Sequence, residues 1–243
     1  MAKKIYMTSF KGGTGVSTCC AGLGLALAEA GDRTLVLDGD RYSACGLHIA
    51  GLGNMQTYTL EDYSKGACRA KQTLISHPKT GNLCFASALG LKDIKAAARA
   101  IDELDGLFDY ILSDKLAPEK CDEAIIVTEP FPPSVRSADC CKSALNDGGI
   151  KDVSVIVNKL NGGQILEGEV MTAQEIAALL RLPLKAVIPE DLNLASGKWK
   201  KSTFKAFKAA ADNITGRREG VLNVTRQYFG VYGYVKRKVR ERL

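Results

Sequence analysis

The sequence contains no long hydrophobic run, since nowhere do eighteen apolar residues follow one another. A transmembrane helix needs about twenty such residues, so we expect no spanning segment, although this leaves attachment to a membrane surface open. The chain starts Met1-Ala2-Lys3-Lys4 without a long apolar stretch and a cleavage site, so we expect it to remain in the cytoplasm. Its 243 residues, 46% of them hydrophobic, are enough for one substantial core.

The eight cysteines lack the C-x-x-C spacing that is typical of metal sites. They are scattered along the chain, at positions 19, 20, 45, 68, 84, 121, 140 and 141. In a chain without an export signal we interpret most of them as reduced packing residues. The neighbours Cys140 and Cys141 would point to diverging faces of a helix, which argues against a shared cluster.

Positive charge is concentrated near the C-terminus. The whole chain has a net charge of +6. Residues 198–243 contain thirteen Lys or Arg and three acidic residues, a net charge of +10, which leaves about −4 for the first 197 residues. This asymmetry indicates an anionic partner.

Short apolar runs alternate with helical patterns along the chain. The runs predict strands at Ile5–Ser9, Thr34–Leu37, Leu83–Ala86, Tyr110–Leu112, Ala124–Val127, Val153–Val157 and Ala186–Ile188. Helical spacing predicts helices within Thr18–Ala30, Lys92–Leu107, Ser134–Asn146, Thr172–Leu180 and Ser202–Ile214. Together they predict an α/β fold, a doubly wound and mostly parallel sheet with helices on both faces. We expect one domain over residues 1–215 and a basic tail over 216–243, with Gly216–Gly220 as a linker.

A glycine-rich segment, Ser9–Thr18 (SFKGGTGVST), follows the first predicted strand and precedes a predicted helix. In a P-loop, glycines let successive backbone N–H groups wrap phosphates at a helix N-terminus. The candidate phosphate-binding residues are Lys11, Gly12, Gly13, Thr14, Gly15, Val16, Ser17 and Thr18. Ser17 stands where a Mg²⁺-binding hydroxyl belongs. The alternative is a glycine-rich turn that binds nothing.

The segment resembles the deviant Walker A motif of the MinD/ParA family of P-loop ATPases, K-G-G-x-G-K-[ST]-[ST]. Lys11 corresponds to the signature lysine, which in the family reaches the phosphates of a partner subunit across a nucleotide-sandwiched dimer. The resemblance therefore implies ATP, Mg²⁺ and an ATP-dependent homodimer. Two positions depart from the pattern, because Val16 replaces the second lysine and Phe10 replaces a glycine.

Further motifs of the family follow in order. Asp40, in Asp38-Gly39-Asp40, matches the switch I aspartate that positions water, although an Asx-turn at a strand end is the plain alternative. Asp114 matches the Walker B aspartate near Mg²⁺, but Lys115 and the residues after it replace the usual S-P-A-G of switch II. Asn158, in a V-N-[KR] motif, and the loop Pro189, Glu190 and Asp191 match the adenine-side segments.

The last residues combine an apolar stripe with basic charge. Apolar side chains recur at positions 228, 231, 232, 235, 239 and 243, while lysine and arginine dominate between them. This spacing predicts a basic amphipathic helix, typical of binding to an anionic membrane surface. The alternatives are packing on the chain's own domain and nonspecific DNA binding, of which the apolar stripe favours lipid over DNA.

The resemblance implies a cytoplasmic, peripherally membrane-bound switch ATPase that organises position in the cell, at the division site or a surface apparatus, with a protein regulator that the sequence does not identify. Three alternatives remain open. The first is an interaction module whose ATPase is impaired by Val16, and the second is a ParA-like DNA-binding ATPase. The third is a carrier of a metal cluster held across a dimer, like the nitrogenase iron proteins.

Overall fold

A single β-sheet forms the centre of the computed structural model, which describes residues 1–55, 57–194, 199–218 and 220–226. The strands are β1 Lys3–Thr8, β2 Thr34–Asp38, β3 Ile75–Ser76, β4 Leu83–Ser87, β5 Tyr110–Asp114, β6 Glu123–Thr128, β7 Val153–Leu160 and β8 Leu184–Pro189. The helices are α1 Val16–Glu29, α2 Cys45–Ile49, α3 Leu60–Ser64, α4 Lys95–Leu104, α5 Pro132–Asp147, α6 Gly162–Leu166, α7 Ala173–Leu180 and α8 Lys201–Thr215. Single 3₁₀ turns occur at Ala70–Thr73, Asp105–Leu107 and Pro118–Lys120.

The strand order β3-β4-β2-β5-β1-β6-β7-β8 brings the carboxyl ends of the parallel strands to one edge of the sheet. β3 is antiparallel to β4, and the pairs formed by the other strands are parallel. After β1 the chain crosses through α1 and returns in β2, on the far side of β5. The loop that follows β1 therefore lies beside the end of β5, at the kind of position where open α/β sheets bind ligands.

Strand side chains alternate between two buried faces. In β2, Val36 packs into the cluster beneath α1, α2 and α8, whereas its neighbours Leu35 and Leu37 pack beneath α3 and α4. The same second face continues under α5 and α7, where Ile126 and Val155 are buried. The predicted doubly wound sheet with helices on both faces is confirmed.

Each predicted strand and helix has a counterpart, with shifted ends. α1 begins at Val16, two residues before its predicted start, and the helix predicted to reach Leu107 changes into a 3₁₀ turn after Leu104. The two-residue β3 and the five-residue helices α2, α3 and α6 were not predicted. Among the described residues, no helix has the length and apolar character needed to cross a bilayer.

The segment after α8 is attached to the body of the molecule. α8 is capped by Gly216, whose φ of 71° is left-handed, and Arg217 then forms an ion pair with Asp32 over 2.6 Å. Asn213 hydrogen-bonds to Gly220 through both its amide nitrogen and its oxygen. Val224 is buried in the cluster beneath α5 and α7. The residues predicted as a linker thus lead into a segment that packs against the sheet layers.

Candidate functional site

The glycine-rich loop joins β1 to α1 at the carboxyl edge of the sheet. Gly13 and Gly15 have left-handed φ values of 77° and 91°. At Gly15 a side chain is excluded by space as well, because a Cβ atom would lie 2.4 Å from Asn158 Nδ2. Gly15 is the N-cap of α1 and has no side chain to cap it, so the first N–H groups of the helix are available to an anion.

A cavity of about 490 Å³ opens above this loop. Its walls come from the loop itself, from the segment after β2, from the start of α2 and from the end of β5. Its lining contains the predicted residues Gly13, Thr14, Gly15, Val16, Ser17, Thr18, Asp40 and Asp114, and also Gly39, Arg41, Tyr42, Cys45 and Lys115. The structure therefore brings most of the predicted phosphate and metal residues to one place.

Ser17 and Asp114 meet in this cavity. Ser17 Oγ donates a hydrogen bond to Asp114 Oδ2 over 2.5 Å, while Asp114 Oδ1 is buried and has no hydrogen-bond partner. Burial raises the pKa of Asp114, and the hydrogen bond from Ser17 opposes that rise. A hydroxyl beside a carboxylate with a free oxygen is a donor set that Mg²⁺ prefers. The residues thus fit a phosphate-bound Mg²⁺, which would neutralise charge on the phosphates.

Asp38 and Asp40 follow β2 on the other side of the cavity. Gly39 between them allows close approach, because a Cβ atom there would lie 1.8 Å from the carbonyl oxygen of Asp114. Partial burial raises the pKa of Asp40, but hydrogen bonds from Ser43 Oγ and from the backbone N–H groups of Tyr42 and Ser43 outweigh it and lower the pKa overall. Asp40 thus forms an Asx-turn and also lines the cavity.

Asp38 is more deeply buried than Asp40. Its side chain accepts hydrogen bonds from the backbone N–H groups of Leu47, over 3.0 Å, and Asp40, over 3.2 Å. Burial raises its pKa to about 6 against these bonds. Asp38 therefore connects α2 to the end of β2. This connection fixes the segment after β2, where Asp40 lines the cavity.

Lys11 is held inside its own chain. Its Nζ pairs with Glu129 Oε2, and Lys159 Nζ pairs with Glu129 Oε1 over 2.7 Å. Lys159 also donates to the carbonyl oxygen of Gly13 over 2.5 Å. Burial raises the pKa of Glu129, but the two ammonium groups outweigh burial and lower it overall. Glu129 and Lys159 were missed as partners of the loop because they lie far from it in the sequence.

Two cations of the cavity were also missed. Val16, which stands in place of the second family lysine, has an uncharged side chain that is 3% exposed and packs into the core. Lys115 and Arg41 line the cavity instead. Lys115 could have been noticed in the sequence, since it is the residue after Asp114 and departs from the family pattern there.

The residues predicted to contact the base, Asn158 and the loop Pro189–Asp191, make hydrogen bonds to other parts of the chain. Asn158 Nδ2 donates to the carbonyl oxygen of Thr14 over 2.8 Å, and Asn158 Oδ1 is buried without a hydrogen-bond partner. Glu190 accepts a hydrogen bond from Asn161, whereas Asp191 accepts hydrogen bonds from Lys200 N and Thr203 Oγ1 at the start of α8. Asn158 therefore has one acceptor that no described residue uses, and the carboxylate of Asp191 is committed to α8.

Comparison with known proteins identifies the family. Residues 5–203 match the CobQ/CobB/MinD/ParA nucleotide-binding domain. The chain belongs to this family. The septum site-determining protein MinD of Helicobacter pylori is 33% identical over 221 residues, which are 81% of this chain and 81% of that protein.

Solved MinD structures share the fold. MinD in the MinC:MinD cell division complex of Aquifex aeolicus superposes with a TM-score of 0.83 at 25% identity, over 91% of this chain and 99% of that one. MinD of Pyrococcus horikoshii, complexed with Mg-ADP, gives a TM-score of 0.77 at 24% identity, over 88% and 96%. The predicted resemblance to the MinD/ParA family is thus confirmed.

The cysteines of this MinD/ParA-family chain are all free thiols. Cys141 is buried and Cys140 is exposed, as their predicted divergence on a helix requires. No group of three or more His, Cys, Asp or Glu side chains suited to a metal ion occurs among the described residues. The prediction for the end of the tail, residues 227–243, falls outside the described residues.

Proposed function

We propose that this protein binds ATP with Mg²⁺, dimerises over the nucleotide and organises position in the cell, at the division site or a surface apparatus. The observation that carries the proposal is the buried, unpartnered Oδ1 of Asp114 beside Ser17, at the mouth of a glycine loop that opens α1. A carboxylate oxygen buried without a partner is costly unless a cation or its water shell completes it.

The proposed roles follow from position. Gly12, Gly13, Thr14, Gly15 and Thr18 cradle the phosphates, and Ser17 with Asp114 holds Mg²⁺. Lys11 leaves Glu129 and reaches the phosphates of the partner subunit, and Asp40 positions the attacking water. Asn158, with the loop Pro189, Glu190 and Asp191, seats adenine. The unpartnered Asn158 Oδ1 supports this role, since an exocyclic amine could donate to it.

The cellular process that we propose for this protein is taken from the names of its relatives. Proteins named for septum site determination are about one third identical to this chain, and one solved relative is in complex with MinC. We therefore propose a cytoplasmic protein that associates peripherally with anionic membrane through its basic tail. A protein regulator recognises its dimeric state. DNA binding through the same charge is the less favoured reading. We further propose residues 1–215 as the nucleotide-binding domain and 216–243 as the tail.

Calorimetric titration with ATP-Mg²⁺, with a sedimentation measurement of the oligomeric state, tests the proposal. We expect saturable binding, a shift to dimer with ATP, and loss of the Mg²⁺ dependence in Ser17→Ala. Ser143→Ala is the matched control, because Ser143 is exposed on α5, away from the cavity. Absence of binding at millimolar ATP would refute the proposal.

A second candidate is an interaction module that binds ATP without turning it over. Two observations favour it. Val16 is buried in the core, and Leu116 and Ala117, which stand in the S-P-A-G segment of the family's switch II, are buried as well. A single-turnover assay of phosphate release separates the two candidates. Tight binding without release, with release restored by Val16→Lys, would establish the module.

A further inference from the structure

The cavity above the glycine loop needs a cation, and its loop supplies none. A P-loop lysine makes charge-assisted hydrogen bonds to the β- and γ-phosphates, and Val16 cannot do so. The nearby lysines of the loop region are already paired, since Lys11 and Lys159 both bind Glu129. Neither of them is among the residues that line the cavity.

Lys115 is the cavity lysine with a free charge. It is exposed, it lines the cavity, and it forms no ion pair within the described part of the chain. Arg41, the other cation of the cavity, stacks over the Tyr42 ring with 6.0 Å between its guanidinium carbon and the ring centroid. Among the described residues, Lys115 thus has neither an ion pair nor a ring contact, whereas Arg41 has a ring contact.

The positive charge of Lys115 affects the pKa values of several groups around the cavity. Burial raises the pKa of Asp114, Cys20 and Cys45, and in each case the Lys115 ammonium acts in the opposite direction. These groups belong to the end of β5, to α1 and to the start of α2. Lys115 therefore lies close enough to these groups for its charge to act on them, and it is itself one of the residues that line the cavity.

The backbone fixes the position of Lys115 at the end of β5. Its φ of 58° is left-handed, which is unusual for a residue with a side chain, and its N–H donates to the carbonyl oxygen of Met7 over 3.1 Å. Leu116 and Ala117, which follow it, are buried, and the Ser113 hydroxyl donates to the carbonyl oxygen of Leu116. The backbone is therefore fixed on both sides of Lys115, which keeps the start of its side chain at the wall of the cavity.

We propose that Lys115 replaces the missing P-loop lysine as the cation that contacts the β- and γ-phosphates of the nucleotide. This inference rests on the proposed binding of ATP-Mg²⁺ and names a residue that the family pattern does not assign. The charge that the family supplies from the glycine loop is supplied here from the end of β5, which lines the same cavity.

The test compares three nucleotides on matched variants of the full chain by calorimetry. For Lys115→Met we expect ATP-Mg²⁺ binding to weaken roughly ten- to a hundredfold, with AMP binding changed less than about twofold. Retained AMP binding shows that the fold and the base site are intact. ADP should be affected to an intermediate degree. Lys205→Met, which removes the same charge from an exposed position on α8, should leave all three affinities unchanged.

Rescue variants sharpen the result. Val16→Lys added to Lys115→Met should recover most of the lost ATP affinity, because it returns a cation to the cavity, and Lys115→Arg should retain part of it. If the unaltered chain binds ATP-Mg²⁺ and Lys115→Met binds it within twofold, the inference fails while the proposed function stands. If the unaltered chain does not bind ATP-Mg²⁺, both fail. Equal losses for ATP and AMP would also overturn the phosphate role.

Discussion

Glu129 is a buried carboxylate that connects two lysines to the glycine loop. Its side chain is 9% exposed, whereas Lys11 and Lys159 are 40% and 43% exposed, so the lysines keep water contact while the carboxylate does not. If Lys11 acts on a partner subunit, it must leave Glu129 first. The pair therefore opposes dimerisation by the free energy needed to separate it.

We predict that Glu129→Gln lowers the stability of the monomer and favours the dimer. Loss of the charge-assisted bonds should cost about 1 to 3 kcal/mol in the free energy of unfolding, measured by urea denaturation. In sedimentation experiments with ATP-Mg²⁺, dimer should form at a lower protein concentration. Glu119→Gln, at an exposed site, is the control and should change neither quantity. A variant that dimerises less readily would contradict the view that Glu129 restrains Lys11.

Asp38 gives a pH dependence of known sign. Burial raises its pKa from 3.8 to about 6, so the folded state holds this proton more tightly than the unfolded state. Its contribution to stability is therefore complete below pH 3.8 and is lost as the pH rises through 6. The difference corresponds to on the order of 3 kcal/mol.

We predict that the unaltered chain loses stability relative to Asp38→Asn as the pH rises from 4 to 7, because asparagine does not titrate. Denaturation at a series of pH values measures the difference. Carboxyl chemical shifts from NMR give the pKa of Asp38 directly. A difference that stays constant over this range, or a pKa near 4, would show that burial does not control this group.

The residues of the site were predictable where their signal is local. Ser17 and the glycines stand in one short segment, and Asp114 ends an apolar run, so pattern and family resemblance find them. The pairing of Lys11 with Glu129 joins residues 118 positions apart, and only the strand order β5-β1-β6 brings them together. Lys115 was visible as a departure from the family pattern, but the side to which its charge points depends on its backbone conformation.

At the scale of elements, the loop after β8 is fixed by its attachment to α8. Asp191 is 7% exposed and accepts a hydrogen bond from Thr203 Oγ1 over 2.8 Å and one from Lys200 N over 3.0 Å. α8 has no side-chain cap from its own N-cap residue. Asp191 thus anchors the start of this helix from outside it.

We predict that Asp191→Ala destabilises the chain by about 2 to 3 kcal/mol, because the buried Thr203 hydroxyl and the Lys200 N–H lose a charged acceptor. Urea denaturation gives the value. Glu190→Ala, at the exposed neighbour that accepts a hydrogen bond from Asn161, should cost less than about 0.5 kcal/mol. Similar losses at both positions would mean that the loop, and not the anchor on α8, sets the stability here.

Elements were predictable in proportion to their length. The parallel strands are buried on both faces and are therefore read as apolar runs, and α1, α5 and α8 are long enough to show helical spacing. α2, α3 and α6 have five residues each, less than two turns, so no period develops. β3 has only two residues and is a strand because it pairs with β4, so its own composition could not predict it.

At the scale of the whole molecule, charge is separated along the chain. The first 197 residues carry about −4 and the remainder +10. Part of this excess lies on α8, and a further part accompanies the apolar stripe of the last residues. An anionic surface should thus attract the C-terminal end and repel the body weakly, which would orient the molecule on it.

The stripe and the charge of the tail can be separated experimentally. A chain truncated after Arg226 should no longer co-sediment with vesicles that contain anionic lipid. Val235→Gln combined with Val239→Gln keeps every charge and removes two apolar side chains, each worth about 1.5 kcal/mol or more when buried. We predict that this double variant weakens vesicle binding at least roughly tenfold, because the charge alone holds a protein on lipid only weakly.

The same double variant decides between lipid and DNA. Phosphate contacts need no apolar face, so a DNA-binding tail would keep its affinity for duplex DNA in this variant and would lose it steeply between about 50 and 200 mM salt. A lipid-binding tail shows the opposite pattern, with loss in the variant and a weaker dependence on salt. If the unaltered full-length chain never sediments with anionic vesicles, the membrane proposal fails, and the positive end of the molecule must serve a different anion.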